Sequence, residues 1–172
     1  MDWVATLARW LHYLFGVMWI GLLYYFNFVQ TQALAQANAA ADGSAAGISR
    51  YVAPRALEYF RWSALVTWIM GAILLFTLSS GTQNGFASAF ALRPPYTGIG
   101  IGAWLGTIML FNVWGLIYPN QMKILGKVPA TDEQKARARR IAALASRTNT
   151  MLSIPMLFFM AFGFNHMKIA GF

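Results

Sequence analysis

The sequence predicts an all-α integral membrane protein, a four-helix bundle, from three observations. First, 58% of its 172 residues are hydrophobic and only 10% are charged, whereas soluble domains carry about 25% charged residues. Second, a bilayer core about 30 Å thick requires roughly 20 apolar residues of helix, and four stretches of about that length are present. Third, the basic residues cluster in two connections. Together these features exclude a disordered chain and an ordinary water-soluble enzyme.

The four hydrophobic stretches define the membrane helices of one domain, which covers residues 1–172. The helices are expected over about residues 4–29, 59–78, 99–118 and 151–169. The first stretch is too long for the apolar core of a cleaved signal peptide, and no small-residue cleavage site follows it. We therefore expect it to remain as the first helix.

The connections contain signals that interrupt or start helices. Residues 31–57 are Ala-rich and predict a weak helix that breaks near Asp42, and residues 79–97 contain Pro94 and Pro95, which are breakers. The third connection begins with a different signal. Its Thr131 and Gln134 have the spacing of a capping box, which predicts a short cytoplasmic helix over about residues 132–147.

The basic residues predict how the helices are oriented. Nine of the thirteen Lys and Arg lie in two connections, three lie on the opposite side, and Arg61 lies just inside the second helix. By the positive-inside rule, the basic connections are cytoplasmic and both termini are periplasmic, in a bacterial inner membrane. The nine residues are Arg50, Arg55, Lys123, Lys127, Lys135, Arg137, Arg139, Arg140 and Arg147.

The partners expected from this pattern begin with the lipid bilayer. The run from Lys135 to Arg140 could hold RNA, but beside membrane helices it favours anionic lipid headgroups, so no nucleic-acid partner is expected. Gly98, Gly102 and Gly106 repeat at a spacing of four on the third helix. Small residues at that spacing allow close helix packing, either within the bundle or in a homo-oligomer.

The chain contains two histidines, His12 and His166, and both fall in membrane helices. A polar group buried there must find a partner. Because four helices return the chain to its starting side, both rings are expected in one layer near the periplasmic face. At 1.5 Å per residue, His12 lies roughly 10 Å deep and His166 roughly 5 Å deep.

The residues around the two histidines indicate a b-type haem. Gly16 lies one helical turn deeper than His12, and Gly163 lies one turn deeper than His166, which leaves room for a flat macrocycle. Arg9 lies one turn above His12, where a guanidinium can pair with a propionate. We therefore predict haem b with His12 and His166 as the iron ligands.

Other interpretations of these polar residues remain open. A single membrane histidine is more often a hydrogen-bonding group between helices, and Met160 or Met167 is an alternative sixth ligand. Asn112, the deepest amide, predicts an interhelical hydrogen bond. The i, i+3 spacing of Arg55, Glu58 and Arg61 predicts an ion-pair ladder at the cytoplasmic interface.

The sequence lacks the motifs of soluble catalytic sites and contains no cysteine. There is no GxSxG, P-loop or HExxH pattern. The absence of cysteine excludes disulfides, thiolate metal sites and covalent attachment of a c-type haem. Chemistry in this chain would therefore depend on a cofactor.

Several segments resemble the membrane urate hydroxylase family (urate oxidase N-terminal domain, PuuD type). They are Arg9-Trp10-Leu11-His12, Gly16-Val17-Met18-Trp19-Ile20-Gly21, Phe60-Arg61-Trp62 continuing to Thr67-Trp68 and Gly71, Phe111-Asn112-Val113-Trp114-Gly115 with Pro119-Asn120-Gln121, and Asn149-Thr150 with Ser153 and Pro155. The first helix also resembles, more distantly, the HemJ-type protoporphyrinogen oxidases, which bind haem through a histidine at this position. That resemblance also implies His12 as a ligand.

The resemblance to the urate enzymes is incomplete. Those enzymes carry a C-terminal cytochrome c domain, whereas this sequence has no Cys-x-x-Cys-His motif and its first connection is a low-complexity Ala-rich segment. The expectation is a short four-helix form without the electron exit of the urate enzymes. Urate hydroxylation by this chain alone is not expected.

Three function hypotheses follow. The first is electron transfer by a haem b protein, acting with a periplasmic cytochrome c or as an accessory subunit of a respiratory complex. A bis-histidine site leaves no open iron position and favours this hypothesis. The second is a haem-dependent oxidoreductase acting on a purine (urate) or a porphyrin, with His166 free for acid–base work. The third is a cofactor-free structural subunit.

Overall fold

The computed structural model describes residues 3–78 and 84–162, and the regular elements in those two ranges are all helical. They form α1 (Trp3–Ala40), α2 (Ser44–Thr77), α3 (Gly85–Phe90), α4 (Thr97–Ile124) and α5 (Asp132–Phe162). Among the described helices, α1, α2 and α4 are long and apolar enough to cross a membrane. The predicted all-α membrane bundle is confirmed.

Helix α1 extends well beyond the hydrophobic stretch that predicted it. The Ala-rich residues 31–40 continue the helix because alanine has the highest helix propensity. The helix then ends at Ala41, which adopts a φ of 53°, and the break expected near Asp42 is found there. Hydrogen bonds from the Ser44 hydroxyl and amide hold the pKa of the Asp42 carboxyl below its ordinary value.

Helix α5 joins two segments that the sequence analysis separated. The capping box forms, because the Thr131 amide donates to Oε1 of Gln134 at 2.9 Å and the Gln134 amide donates to Oγ1 of Thr131 at 3.2 Å. From Asp132 the helix continues to Phe162 and includes Pro155, so the predicted cytoplasmic helix and the described part of the predicted fourth membrane helix form one continuous helix. No strong breaker separates the two segments. Residues 163–169 of the predicted fourth helix lie outside the described residues.

The bundle is assembled from two antiparallel helix pairs, α1 with α2 and α4 with α5. The short helix α3 packs against the start of α4 and the end of α2, where the Tyr96 hydroxyl donates to the Leu78 carbonyl at 2.6 Å. The central core contains large buried side chains from all four long helices. They include Trp19, Leu23, Phe60, Met109, Val113 and Met156.

The glycine stripe of α4 lies inside the bundle. Gly98, Gly102 and Gly106 are all buried. A Cβ at Gly102 would lie 3.3 Å from Cβ of Phe159 and 3.3 Å from Cε of Met160, so α5 packs closely on this glycine. The predicted close approach is therefore present within one chain at Gly102, whereas a Cβ at Gly106 would meet nothing within 4 Å. A contact between protomers through these residues stays a prediction.

Candidate functional site

His12 lies in the half of α1 nearest its start and hydrogen-bonds to α2. Its Nδ1 is 2.8 Å from the backbone carbonyl oxygen of Thr67. Because a carbonyl oxygen can only accept, Nδ1 carries the hydrogen and Nε2 keeps its lone pair. Metal-ligating histidines are commonly oriented by such a hydrogen bond from the second ring nitrogen. The imidazole therefore has the tautomer and the anchoring that an axial ligand requires.

Gly71 of α2 provides the surface on which the His12 ring rests. A Cβ at Gly71 would be 2.9 Å from Cε1 and 3.0 Å from Nδ1 of His12. These distances are shorter than carbon–carbon van der Waals contact, so a side chain at this position would displace the ring. The sequence analysis assigned no role to Thr67 or Gly71. Their i, i+4 spacing on the second helix was the available signal, but it does not reveal which residue they face.

Of the other four residues predicted to surround a haem, the structure describes two, Gly16 and Arg9. Gly16 faces α2, since a Cβ there would lie 3.7 Å from the Thr67 methyl group. The space left by the missing side chain of Gly16 is therefore filled by Thr67 of α2 at an ordinary contact distance. Arg9 is exposed on α1. His166 and Gly163 lie outside the described residues, so the predicted pairing of the two imidazoles has no structural description. Haem contacts by all four residues stay predictions.

A second polar group lies on the same face of α1. Trp19 follows His12 by seven residues and is 2% exposed, and its indole Nε1 has no hydrogen-bond partner in the described part of the chain. An unsatisfied buried donor costs roughly 1–3 kcal/mol. Seven residues correspond to about 10 Å of helix, and Trp19 packs in the central core. This N–H therefore lies deeper in the bundle than the His12 ring and is not part of the contact between His12 and Gly71.

A layer of amides and hydroxyls joins α5 to α4. Asn149 is fully buried, and its Oδ1 accepts from Nδ2 of Asn112 at 2.8 Å. Its own Nδ2 donates to the Met109 carbonyl at 2.9 Å. The interhelical hydrogen bond predicted for Asn112 is confirmed. A π-helical turn at Asn112–Ile117 lies beside this layer, and such turns frequently occur at functional sites.

On another side of α5, polar side chains of α1 make similar hydrogen bonds to it. Nδ2 of Asn27 donates to Oγ of Ser146 at 2.8 Å, and the Tyr24 hydroxyl is 2.9 Å from Oγ of Ser153. Asn27 lies in a second π-helical turn, Tyr25–Gln30. The register of α5 is therefore fixed from both sides by polar side chains inside the bundle.

An ion pair with an aromatic enclosure marks the predicted cytoplasmic half of α2. The Arg61 guanidinium is 2.7 Å from the Glu58 carboxylate, and the Tyr118 hydroxyl of α4 donates to the same carboxylate at 2.5 Å. The rings of Trp62, Trp114 and Tyr118 surround the guanidinium at 4.0–5.2 Å.

This arrangement matches only part of the predicted ladder. Arg55 is exposed and makes no ion pair within residues 3–78 and 84–162. Tyr118 was missed because it comes from another helix, sixty residues away in sequence. The Arg61–Glu58 ion pair and the three aromatic rings connect α2 to α4, so their role is structural. Within the same ranges no group of three His, Cys, Asp or Glu side chains could hold a metal ion, so His12 is the candidate ligand there.

The fold and this site define a membrane helical bundle with an anchored histidine whose Nε2 has no hydrogen-bond partner among residues 3–78 and 84–162. A family model described as urate oxidase N-terminal matches residues 81–170. The match covers just over half of the chain, and the chain belongs to this family. No curated protein matches the sequence, and no solved structure matches it. The matched range contains Asn112 and Asn149, whereas His12 lies outside it.

Proposed function

We propose that this membrane protein binds haem b and takes part in electron transfer, with Nε2 of His12 as an axial iron ligand. The observation that carries the proposal is the 2.8 Å contact between Nδ1 of His12 and the Thr67 carbonyl, with the ring seated on Gly71. An ionisable side chain inside a membrane helix is a functional-site hypothesis by default. The same contact is also the hydrogen bond between helices of the alternative interpretation, and the haem content distinguishes the two.

The proposed roles of the remaining residues follow from their positions. Thr67 and Gly71 orient the imidazole, and Arg9, one turn nearer the start of α1, pairs with a propionate. His166 supplies the second ligand and Gly163 leaves space beside it, whereas the face of Gly16 toward α2 is occupied by the Thr67 methyl group. The haem supplies one-electron chemistry, and a bis-histidine set leaves the iron closed to substrates.

The proposed setting is a bacterial inner membrane with both termini in the periplasm, because the basic connections are then cytoplasmic. The haem would lie near the periplasmic face. Its electron partner would accordingly be a periplasmic cytochrome c or another subunit of a respiratory complex.

The visible spectrum of the purified chain tests this proposal. We expect a Soret band and a sharp reduced α-band of a six-coordinate b-type haem. His12→Ala should lower the haem content by at least about tenfold, because ligation is lost. Tyr13→Ala is the matched control, since Tyr13 is the adjacent residue and is 66% exposed. A wild-type protein without a Soret band, or an unchanged haem content in His12→Ala, would contradict the proposal.

The family match favours a second candidate function, a haem-dependent oxidoreductase that acts on a purine such as urate. In that case His166 would be an acid–base group and the iron would keep an open position. The spectrum should then be high-spin and should change on adding carbon monoxide, and urate should reduce the haem without oxygen. If neither addition changes the spectrum of a haem-loaded protein, electron transfer is the better assignment.

A further inference from the structure

An open groove of about 290 Å³ lies between α4 and α5, in their predicted cytoplasmic halves. Its walls are mostly apolar, and the Asn112 amide and the Thr148 hydroxyl lie at its inner end. Leu144, on the outer wall, is 65% exposed. The groove is lined by Asn112, Leu116, Ile141, Leu144, Ala145 and Thr148.

One cation from each helix lies at the outer end of this groove. Lys123 follows Leu116 by seven residues on α4, which places both on one helix face. On α5, Arg137 precedes Ile141 by four residues and Leu144 by seven, so it continues the face that lines the groove. Because α4 and α5 are antiparallel, the two cations lie at the same end.

These two cations are available to an external anion. Arg137 is exposed and Lys123 is half-buried. Neither makes an ion pair with a carboxylate of the described residues, whose two ion pairs are Arg61 with Glu58 and Lys135 with Asp132. Two cations at the same end of one apolar groove fit an occupant with an anionic head and an apolar body.

We propose that the groove binds one anionic phospholipid of the cytoplasmic leaflet. Its phosphate lies between Lys123 and Arg137, and one acyl chain follows Leu116, Ile141 and Leu144 toward Thr148. The eleven residues from Arg137 to Thr148 span about 16 Å of helix, which is long enough for a large part of an acyl chain. This site is independent of the haem, so it can be tested without reference to the proposed electron transfer.

Native mass spectrometry of the full chain with added lipid tests the site. Phosphatidylglycerol is compared with phosphatidylcholine of the same acyl chains, so the two lipids differ in headgroup charge. We expect the first phosphatidylglycerol to be retained about fivefold more than phosphatidylcholine, and Arg137→Gln and Lys123→Gln each to lower its retention about fivefold. Leu144→Trp should also lower retention, because the indole fills the groove.

The controls separate a built site from a general attraction to positive charge. Arg139→Gln removes an equally exposed cation about 140° around α5 from Leu144 and should leave retention unchanged. Ile154→Trp adds the same indole at a 68% exposed position of α5 away from the groove. Equal retention of the two lipids, or an equal loss in Arg139→Gln and Arg137→Gln, would overturn the proposal. Circular dichroism of each variant confirms that it folds.

Discussion

Gly71→Ala is expected to remove haem as completely as deletion of the ligand itself, although His12 stays in the sequence. The new Cβ would be 2.9 Å from Cε1 and 3.0 Å from Nδ1 of the imidazole. The ring can escape this overlap only by rotating, and rotation breaks the hydrogen bond to the Thr67 carbonyl. Loss of such an orienting contact typically costs 10- to 100-fold in metal affinity, and here the ring itself also moves.

The measurement is the ratio of haem to protein, read from the Soret band and the protein concentration. Gly21→Ala is the matched control, because a Cβ at Gly21 of α1 would meet nothing within 4 Å. It makes the same chemical change in a membrane helix and should retain the wild-type haem ratio. Equal haem ratios in the two variants, with both proteins helical by circular dichroism, would show that Gly71 does not position the ligand.

The composition is enough to predict that His12 is a candidate ligand, but it does not predict which residues contact His12. A chain with two histidines and eighteen charged residues leaves few groups in its membrane helices that can bind a metal. The identity of its neighbours depends on the rotation and depth of α2 against α1. Hydropathy constrains neither of these. Thr67 and Gly71 were part of the resemblance of the second helix, but their contacts with His12 could be recognised only from the packed helices.

The lengths of the helices show a related limit of the sequence analysis. Hydropathy reports how much chain fits the bilayer core, not where the backbone leaves the helical conformation. Helix α1 therefore continues to Ala40, and α5 begins at Asp132, well before its apolar part. The predictions made from helix-breaking and helix-capping residues are confirmed. The break near Asp42 and the capping box at Thr131 are both present.

The polar layer around α5 illustrates what the sequence could and could not specify. An amide as deep as Asn112 requires a hydrogen-bond partner, so an interhelical bond was predictable. That its partner is Asn149, which also donates to the Met109 carbonyl, depends on the register of α4 against α5. Met109, Asn112 and Asn149 all lie within residues 81–170, the range that the family model matches.

Asn149→Leu is expected to destabilise the bundle by about 2 kcal/mol, because one polar group loses its interhelical partner and a second loses its side-chain donor, although it keeps the backbone N–H of Asn112. Those groups are Nδ2 of Asn112 and the Met109 carbonyl, each now bonded to the Asn149 amide. Membrane hydrogen bonds average about 0.6 kcal/mol in double-mutant cycles, but Asn149 is 0% exposed and supplies two of them. Unfolding by SDS in mixed micelles, followed by circular dichroism, measures the change in free energy.

A matched variant and a double mutant identify the source of that loss. Asn120→Leu removes a half-buried amide whose hydrogen bond within the described residues goes to the Leu116 carbonyl of its own helix, and it should change the stability by less than about 0.5 kcal/mol. Asn112→Leu combined with Asn149→Leu removes both amides of the interhelical pair and should recover part of the loss, since no side-chain amide is then left unpaired and the Met109 carbonyl keeps its backbone donor. If the double mutant instead loses the full sum of the two single changes, the two amides are not energetically coupled. The stability of α5 would then come from its apolar packing, with Met156 as its buried contribution to the core.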